Sequence, residues 1–361
     1  MDKIAYVCPR FPPYIGGVET HVYEISKRIS KHFDVEILTT DPGGKLPKVE
    51  IIENLTVRRF KAVAPSGAYY FSLDLYRFLK RNSKKYAIIH FHNYHSLTSF
   101  LSTISKSKHN KVIFTPHYHG KAHSLVRNLL IHLYHITLGK KIFAAADKVI
   151  CVSEYEKSLV LRKFKVEKKL EVIPNGIDLE QFRKIKNVKK DEKTILYVGR
   201  LEKYKGVQYI IQALKYLNDW KLIIVGSGGY EKRLIELAKN LNVSNKIKFL
   251  KNLPKEELIR LYKRSSVFVL LSKYEAYGIT VAESLLAGTP CIVAKSSALI
   301  EWIDNKNVFG LSLPVNPKEL AKAIENVSPV KVRLSKKLKS KILSWDDVAK
   351  KHKKMYLKVL E

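Results

Sequence analysis

Residues 266–290 read SVFVLLSKYEAYGITVAESLLAGTP, which joins an apolar strand pattern, a polar loop and a helix pattern. The run at 266–272 has the length and composition of a buried strand. Glu275 and Gly278 follow in the loop, and Glu283 lies within the predicted helix. Repeated strand–loop–helix units of this kind build parallel sheets with helices on both faces.

The same alternation recurs along the whole chain of 361 residues. The candidate strands are KIAYVC, DVEILTT, AIIHFH, KVIFTPH and KVICVS in the first half, and TILYVG, KLIIVG, KIKFL, SVFVLLS and PCIVA in the second. Helical patterns lie between them, among them VETHVYEISKRISK, KGVQYIIQALKYL and YEKRLIELAKNL. Because the chain exceeds the usual size of one core, two such sets predict an α/β protein with two Rossmann-like domains.

The boundary between the two domains is predicted at VIPNGID, residues 172–178, where Pro174 and Gly176 interrupt the pattern. In open parallel sheets, ligands bind outside the carboxyl ends of the strands. Two facing sheets therefore predict a site in an interdomain cleft.

Composition excludes several classes of protein. Hydrophobic residues make up 46% of the chain, which indicates a folded protein. Cys8, Cys151 and Cys291 are too far apart in sequence to suggest a disulfide framework or a zinc site. There is no signal-peptide pattern and no apolar run of the length that crosses a membrane, so we expect a cytoplasmic protein.

The net charge of +33 allows three interpretations. The protein could bind nucleic acid, could be attracted to an anionic membrane, or could simply carry solvated lysines. Composition alone does not choose among them. No zinc-finger, helix-turn-helix or RNP pattern accompanies the charge, which weighs against nucleic acid as a partner.

Two cations follow the strand TILYVG where the next helix begins. Arg200 and Lys205 lie in VGRLEKYKG, next to a glycine turn. Helix N-termini favour anions, and an arginine and a lysine add positive charge and hydrogen-bond donors. The pattern suits a diphosphate, although two surface cations beside a turn would look the same.

The order of motifs resembles a known family. VGRLEKYKG, VGSGG, IKFL, EAYGITVAE and AGTP follow one another as in the donor half of the retaining GT-B glycosyltransferases of family 4. VSEYE, IPNGID, PPYIGGVETHV and WDDVAKKHKKMYLKVL match elsewhere in the chain. The resemblance implies an acceptor domain at 1–175, a nucleotide-sugar donor domain at 176–342, and a helix at 343–361 packing back toward the first domain.

The resemblance also implies roles for individual residues. Glu283 would hold the ribose of the donor nucleotide, and Glu275 would contact hydroxyls of the transferred sugar. Arg200 and Lys205 would neutralise the departing diphosphate, and His117 would lie near the anomeric carbon. The donor-binding residues implied are Gly16, Gly17, Arg200, Lys205, Gly226, Leu250, Glu275, Ala276, Tyr277, Gly278, Ile279 and Glu283.

The histidines raise a separate question. His90, His92 and His95 in IIHFHNYH are spaced like metal ligands, but we expect the first two on opposite faces of a strand, and the family needs no metal for transfer. His119 and His123 could line an acceptor pocket or belong to a solvated loop.

Two positions depart from the family pattern. Lys251 stands where glycine is common, which leaves the nucleotide base open. AKSSALIEW lacks the usual Gly-Gly before Glu301, which leaves the sugar contacts open.

The predicted function is transfer of a hexose from a UDP- or GDP-sugar to a lipid-linked or glycan acceptor, with retention and without a cofactor or metal. The leaving phosphate oxygen would deprotonate the incoming hydroxyl, and protein groups would supply positioning and charge. The alternatives are an epimerase or phosphorylase of the same fold and, less favoured, a basic nucleic-acid-binding protein.

The segment 121–143, KAHSLVRNLLIHLYHITLGKKIF, combines apolar and basic positions. As a helix it would present an apolar stripe flanked by positive charge, which suits an anionic membrane. The same pattern would arise from a helix that packs on the sheet. With the net charge, it predicts peripheral contact at the inner face of the cell membrane.

Overall fold

The computed structural model describes residues 1–14, 16–65, 69–118 and 134–361. These residues form two compact units. Unit 1 comprises Met1–Gly176 together with Trp345–Glu361, and unit 2 comprises Ile177–Ser344. Each unit is built on its own sheet.

Unit 1 contains an eight-stranded sheet in its described residues, ordered β3-β4-β2-β1-β5-β6-β7-β8. Every neighbouring pair is parallel except β3 and β4, which are antiparallel. The strands are β1 (Lys3–Val7), β2 (Asp34–Asp41), β3 (Val49–Ile52), β4 (Leu55–Lys61), β5 (Ile88–His92), β6 (Lys111–Thr115), β7 (Lys148–Cys151) and β8 (Leu170–Val172).

Unit 2 contains a six-stranded sheet in which all neighbours are parallel, ordered β12-β11-β10-β13-β14-β15. Two short strands, β9 (Gly176–Ile177) and β16 (Leu343–Ser344), lie at the junctions between the units along the chain. The six sheet strands are β10 (Thr194–Val198), β11 (Lys221–Val225), β12 (Ile247–Leu250), β13 (Val267–Leu270), β14 (Cys291–Ala294) and β15 (Val308–Leu311).

The helices connect successive strands, and many begin at a serine, aspartate or asparagine whose side chain caps the first turn. The helices are α1 (Gly17–Ile29), α2 (Leu73–Asn82), α3 (Leu97–Ser105), α4 (Lys140–Ala145), α5 (Glu154–Leu161), α6 (Leu179–Lys184), α7 (Val207–Ala213), α8 (Glu231–Asn240), α9 (Lys255–Arg264), α10 (Ile279–Leu286), α11 (Pro317–Val327), α12 (Lys336–Lys341) and α13 (Trp345–Leu360). Every helix in the described residues is too short or too polar to span a bilayer.

The strand orders locate a topological switch point in each sheet. In unit 1, β1 lies between β2 and β5, and in unit 2, β10 lies between β11 and β13. The chain leaves these neighbouring strands in opposite directions, which opens a crevice at their carboxyl ends. Residues that follow β1 and β5 in unit 1, or β10 and β13 in unit 2, are thus placed to bind ligands.

The α/β class with parallel sheets is confirmed, and each of the ten candidate strands is present. Four strands of these sheets were not predicted: β3, β4, β8 and β15. The hairpin formed by β3 and β4 adds an antiparallel edge to unit 1. Ile51 in β3 is 75% exposed, so this edge strand lacks the continuous apolar run that identifies a buried strand.

Candidate active site

The loops that follow β10 and β13 meet at the switch point of unit 2. Gly206 has a φ of +78°, and a Cβ there would lie 2.4 Å from the carbonyl oxygen of Leu271. Only glycine fits this close approach. Lys205 is consequently held beside the loop after β13, where its Nζ lies 2.6 Å from Oε1 of Glu275.

This ion pair is largely shielded from solvent. The Lys205 side chain is 11% exposed and that of Glu275 is 17% exposed. The Glu275 backbone is also fixed, since its N–H donates to Oγ of Ser297 at 3.0 Å. The structure therefore brings together two residues that are 70 positions apart in sequence. In the sequence analysis, Lys205 was assigned to the diphosphate of the donor and Glu275 to its sugar.

Arg200 adds an exposed guanidinium on the same loop. Its Nη2 donates to the hydroxyl of Tyr204 at 3.0 Å, and its own carbonyl accepts a hydrogen bond from Tyr197 at 2.8 Å. The backbone is thus anchored while the charged group stays exposed. A guanidinium in this position is available to an anionic ligand.

Gly278 begins helix α10 with a φ of +97°. The preceding residue, Tyr277, is buried and held by two hydrogen bonds: its carbonyl accepts from Nε1 of Trp302 at 2.7 Å, and its hydroxyl donates to the Lys341 carbonyl at 2.6 Å. The first N–H groups of a helix, here starting at Ile279, have no acceptor within the helix. The loop from Ala276 to Gly278 therefore leads, from an anchored Tyr277, into a helix N-terminus, a feature that favours anions in general.

Glu283 lies one turn further along α10 and is buried. Its Oε2 accepts a hydrogen bond from the hydroxyl of Tyr262 at 2.9 Å, and its Oε1 pairs with Lys255. Burial and the Glu283 carboxylate raise the pKa of Tyr262, which keeps that hydroxyl protonated as a donor. Lys255 is 41% exposed and so is the partner that a ligand can displace.

The remaining predicted donor residues of unit 2 lie at the ends of β11 and β12. Gly226 follows β11, and its N–H donates to the carbonyl of Leu250 at 2.9 Å. Lys251, the departure from the family pattern, forms an ion pair with Glu231 at 2.6 Å. Lys251 thus follows β12 and forms an ion pair with helix α8, whereas the turn at Gly226 follows the neighbouring strand β11.

In unit 1, Gly16 and Gly17 begin helix α1 after β1. Gly16 has extended backbone geometry, and a Cβ there would lie 2.3 Å from Oε2 of the Glu19 side chain. Glu19 in turn accepts a hydrogen bond from Nε of Arg10 at 2.7 Å. This pair fixes the glycine turn against the loop that leaves β1.

His117 follows β6 in a left-handed conformation, with a φ of +49°. Such a backbone is uncommon for a residue other than glycine and persists only where its surroundings enforce it. Here the buried Glu156 accepts hydrogen bonds from the N–H groups of Tyr118 and Val152. Burial raises the pKa of Glu156 to about 8 and lowers that of His117 to about 3.

His117 belongs to a cluster of buried histidines, and one sequence prediction fails here. His90 and His92 lie on the same face of β5, with ring centroids 4.2 Å apart, not on opposite faces. Side chains two residues apart in a strand share a face. His92 Nδ1 lies 3.4 Å from Nε2 of His117, whereas His95 packs against Tyr118.

Several members of these sites were not predicted from the sequence. Lys255 and Tyr262 are seven positions apart on one face of α9, and that spacing was the available signal. Glu156 lies in VSEYE, a motif recognised without a role. His21 and His352 lie on helices and had no signal beyond residue type. The predictions for His119 and His123 concern residues outside the described part of the chain.

Comparison with known proteins agrees with this architecture. Residues 178–341 match the family described as glycosyl transferases group 1, and residues 15–181 match glycosyltransferase family 4. An uncharacterized glycosyltransferase of Methanocaldococcus jannaschii is 30% identical over 99% of both chains.

Two relatives have more informative names. The alpha-monoglucosyldiacylglycerol synthase of Streptococcus pneumoniae is 29% identical over 89% of this chain and 77% of its own. The UDP-Gal:alpha-D-GlcNAc-diphosphoundecaprenol alpha-1,3-galactosyltransferase of Escherichia coli is 27% identical over 97% of this chain and 94% of its own. None of these three relatives is named as an epimerase, a phosphorylase or a nucleic-acid-binding protein.

Solved structures share the fold. Sucrose-phosphate synthase from Thermosynechococcus elongatus superposes with a TM-score of 0.82 at 21% identity, covering 99% of both chains. HepE of Anabaena in complex with UDP-glucose superposes with a TM-score of 0.75 at 18% identity, covering 98% of both. The GT-B fold expected from the sequence is confirmed. With this fold and with a relative that is 30% identical over nearly the whole length, the chain belongs to the group 1 glycosyl transferases of family 4.

Proposed function

We propose that this glycosyltransferase moves a hexose from a UDP- or GDP-sugar to a lipid-linked or glycan acceptor with retention of anomeric configuration. The observation that carries the proposal is the Lys205–Glu275 ion pair at the switch point of unit 2. It lies on the loops that lead into α7 and α10, so cationic, carboxylate and helix N-terminal groups are available for one nucleotide sugar.

The donor is bound by groups of complementary chemistry. Arg200, Lys205 and the N–H groups at the start of α10 bind the diphosphate. Glu275 accepts hydrogen bonds from hydroxyls of the sugar, and Glu283 accepts those of the ribose. On binding, the ribose displaces the exposed Lys255 from Glu283, while Tyr262 continues to orient the carboxylate.

The reaction then exchanges one bond for another on the same face of the sugar. The bond from the anomeric carbon to the phosphate oxygen breaks, and a bond from that carbon to the acceptor oxygen forms. The acceptor proton passes to the leaving phosphate. Negative charge grows on the diphosphate, and Lys205 and Arg200 stabilise it. This step uses no metal and no side-chain nucleophile.

A lipid-linked acceptor at the cytoplasmic face of a membrane is proposed from two observations. Two relatives carry names with a diacylglycerol or a diphosphoundecaprenol acceptor. The chain has a net charge of +33, which attracts it to anionic lipid. Within the described part of segment 121–143, Ile136, Lys140 and Lys141 are exposed; residues 121–133 lie outside the described chain.

The experiment combines the protein with UDP- and GDP-hexoses and with total lipid from its host. Release of nucleotide together with a lipid that is one hexose heavier supports the proposal. Proton NMR of the product then compares its anomeric configuration with that of the donor. Inversion refutes the retaining mechanism, and nucleotide release without any glycosylated product refutes the transfer to lipid.

A further inference from the structure

Three histidines from three separate elements of unit 1 converge on one point. His21 lies on α1, His92 ends β5, and His117 follows β6. Their ring centroids are 5.0 to 5.7 Å apart. One nitrogen from each ring lies within 4.8 Å of one from each of the others. This set, defined as the histidine triad, is buried.

We propose that the histidine triad binds one divalent transition-metal ion of the zinc class. The proposal goes beyond the transfer reaction, which uses no metal, and does not depend on it. Imidazole nitrogens suit zinc, copper and nickel, whereas magnesium and calcium prefer oxygen ligands. Three histidines and an open fourth position form a recurrent zinc site.

The distances fit such an ion. Nitrogens bound to tetrahedral zinc at about 2.0–2.1 Å lie about 3.3 Å from one another. Nδ1 of His92 and Nε2 of His117 are 3.4 Å apart and share a hydrogen bond, whose proton a metal ion bound to both rings would replace. The ligand nitrogens of the three histidines lie within 4.8 Å of one another, so a movement of the His21 side chain toward the other two completes the triad.

The hydrogen bonds around His21 leave a nitrogen ready to bind metal. Its Nδ1 lies 2.6 Å from Oδ1 of Asn175, an acceptor, so Nδ1 carries the proton and Nε2 carries the lone pair. Nε2 of His21 is buried and has no hydrogen-bond partner among the described residues. A ring whose other nitrogen donates to an oxygen is the usual outer-shell arrangement of metal-binding histidines.

Two further features favour a metal at this place. Nε2 of His352 is likewise buried and unpaired within the described residues, and its ring lies 5.9 Å from that of His21. Buried unpaired polar atoms are rare and require a reason. In addition, the backbone around His117 is held by the Glu156 hydrogen bonds, which fixes one ligand in advance.

The experiment measures binding to the protein alone, so it gives a result whether or not transfer is observed. Protein stripped with EDTA and dialysed is titrated with Co²⁺, whose tetrahedral complexes absorb strongly in the visible region, and with Zn²⁺ by calorimetry. We expect one equivalent of each ion to bind in competition with the other. Absence of such a step overturns the proposal.

Variants locate the ion. His21→Gln and His117→Gln are expected to lose the one-equivalent step, and Asn175→Ala to weaken binding by about 10- to 100-fold. His109→Gln removes an exposed histidine and serves as the matched control, with binding unchanged. One-equivalent binding that persists in both glutamine variants overturns the proposal.

A measurement without substitutions covers the case in which these variants do not fold. X-ray absorption of the zinc-loaded wild-type protein is expected to show nitrogen ligands at about 2.0–2.1 Å with imidazole scattering. A spectrum with oxygen ligands alone refutes the histidine triad as the site.

Discussion

Lys205→Met tests the donor site most directly, because Lys205 has two effects that can be separated. In the protein without donor it neutralises Glu275 at 2.6 Å. During transfer it is proposed to stabilise the departing diphosphate. Methionine keeps most of the volume of the side chain and removes the charge, so packing losses stay small.

The effect on stability can be bounded from the structure. Two unit charges about 4 Å apart attract by about 4 kcal/mol at an effective dielectric constant near 20, before desolvation is subtracted. Removing one partner of a buried pair costs about 3–5 kcal/mol, since the other charge stays uncompensated. Glu275 is 17% exposed and can gain some water, so we expect a loss of about 2–3 kcal/mol.

The effect on catalysis should be separate from this loss. Removing a group that stabilises transition-state charge typically lowers kcat by about 100-fold or more. Lys203→Met is the control, since it removes an exposed lysine from the same turn. Nucleotide release and urea unfolding are measured for both variants, and also for Glu275→Gln and the Lys205→Met, Glu275→Gln double variant.

The double variant separates the two effects of Lys205. Much of the stability lost in Lys205→Met should return when Glu275 is also neutral, whereas the loss of kcat should remain. A Lys205→Met enzyme that matches Lys203→Met in kcat refutes the assignment of Lys205 to the diphosphate. A double variant as unstable as the sum of the single variants refutes the ion-pair account.

Three other substitutions give distinct outcomes. Tyr262→Phe removes the hydrogen bond to Glu283 and should cost about 1 kcal/mol of stability. It should also weaken nucleotide binding, as measured by titration with UDP and GDP. Unchanged affinity for both nucleotides would refute the ribose role of Glu283. Gly206→Ala places a Cβ against Leu271 at a positive φ, so chemical denaturation should show a loss of about 1–3 kcal/mol or more, and a neutral effect would contradict the close approach. Burial lowers the pKa of His352 to about 4, below about 6.5 in the unfolded chain. Its contribution to stability is therefore complete above pH 6.5 and is lost as the pH falls toward 4, by at most about 1.4 kcal/mol per pH unit. Urea unfolding with EDTA between pH 7.5 and 5 should show a shallower pH dependence in His352→Leu than in wild type, and equal slopes would refute the effect.

The sequence predicted buried strands well and edge strands poorly, for a physical reason. A strand covered on both faces is mostly apolar along its length, and β10, β13 and β14 are runs of that kind. Strand β3 is only four residues long, VEII, pairs on one side only and exposes Ile51, so it is too short a run to identify as a buried strand. Such a strand is specified by its pairing with β4, which no local pattern records.

The functional residues that could be predicted are those at fixed positions relative to strand ends. Arg200, Lys205 and Glu275 follow β10 and β13, and the sheet order alone brings them to one switch point. The direct pairing of Lys205 with Glu275 depends on the paths of the loops after β10 and β13. The close approach of Gly206 to Leu271 holds these two loops together. Lys255 could not be predicted in this way, because it reaches Glu283 from helix α9, a segment that no motif singled out.

The histidine triad could not be predicted from spacing, because its members are distant in sequence. His90, His92 and His95 are close in sequence, yet the hydrogen bonds of His90 are satisfied by Tyr356 and Thr115, and His95 packs against Tyr118. Metal binding requires imidazole lone pairs that converge on one point. A parallel sheet brings such groups together from strand ends that are distant in sequence, as it does for His92 and His117. His21 lies on helix α1, which follows β1, the neighbour of β5 in the sheet. The proposed ligands are therefore brought together by sheet order and, for His21, marked by a buried nitrogen without a partner among the described residues, and neither feature is visible in a short motif.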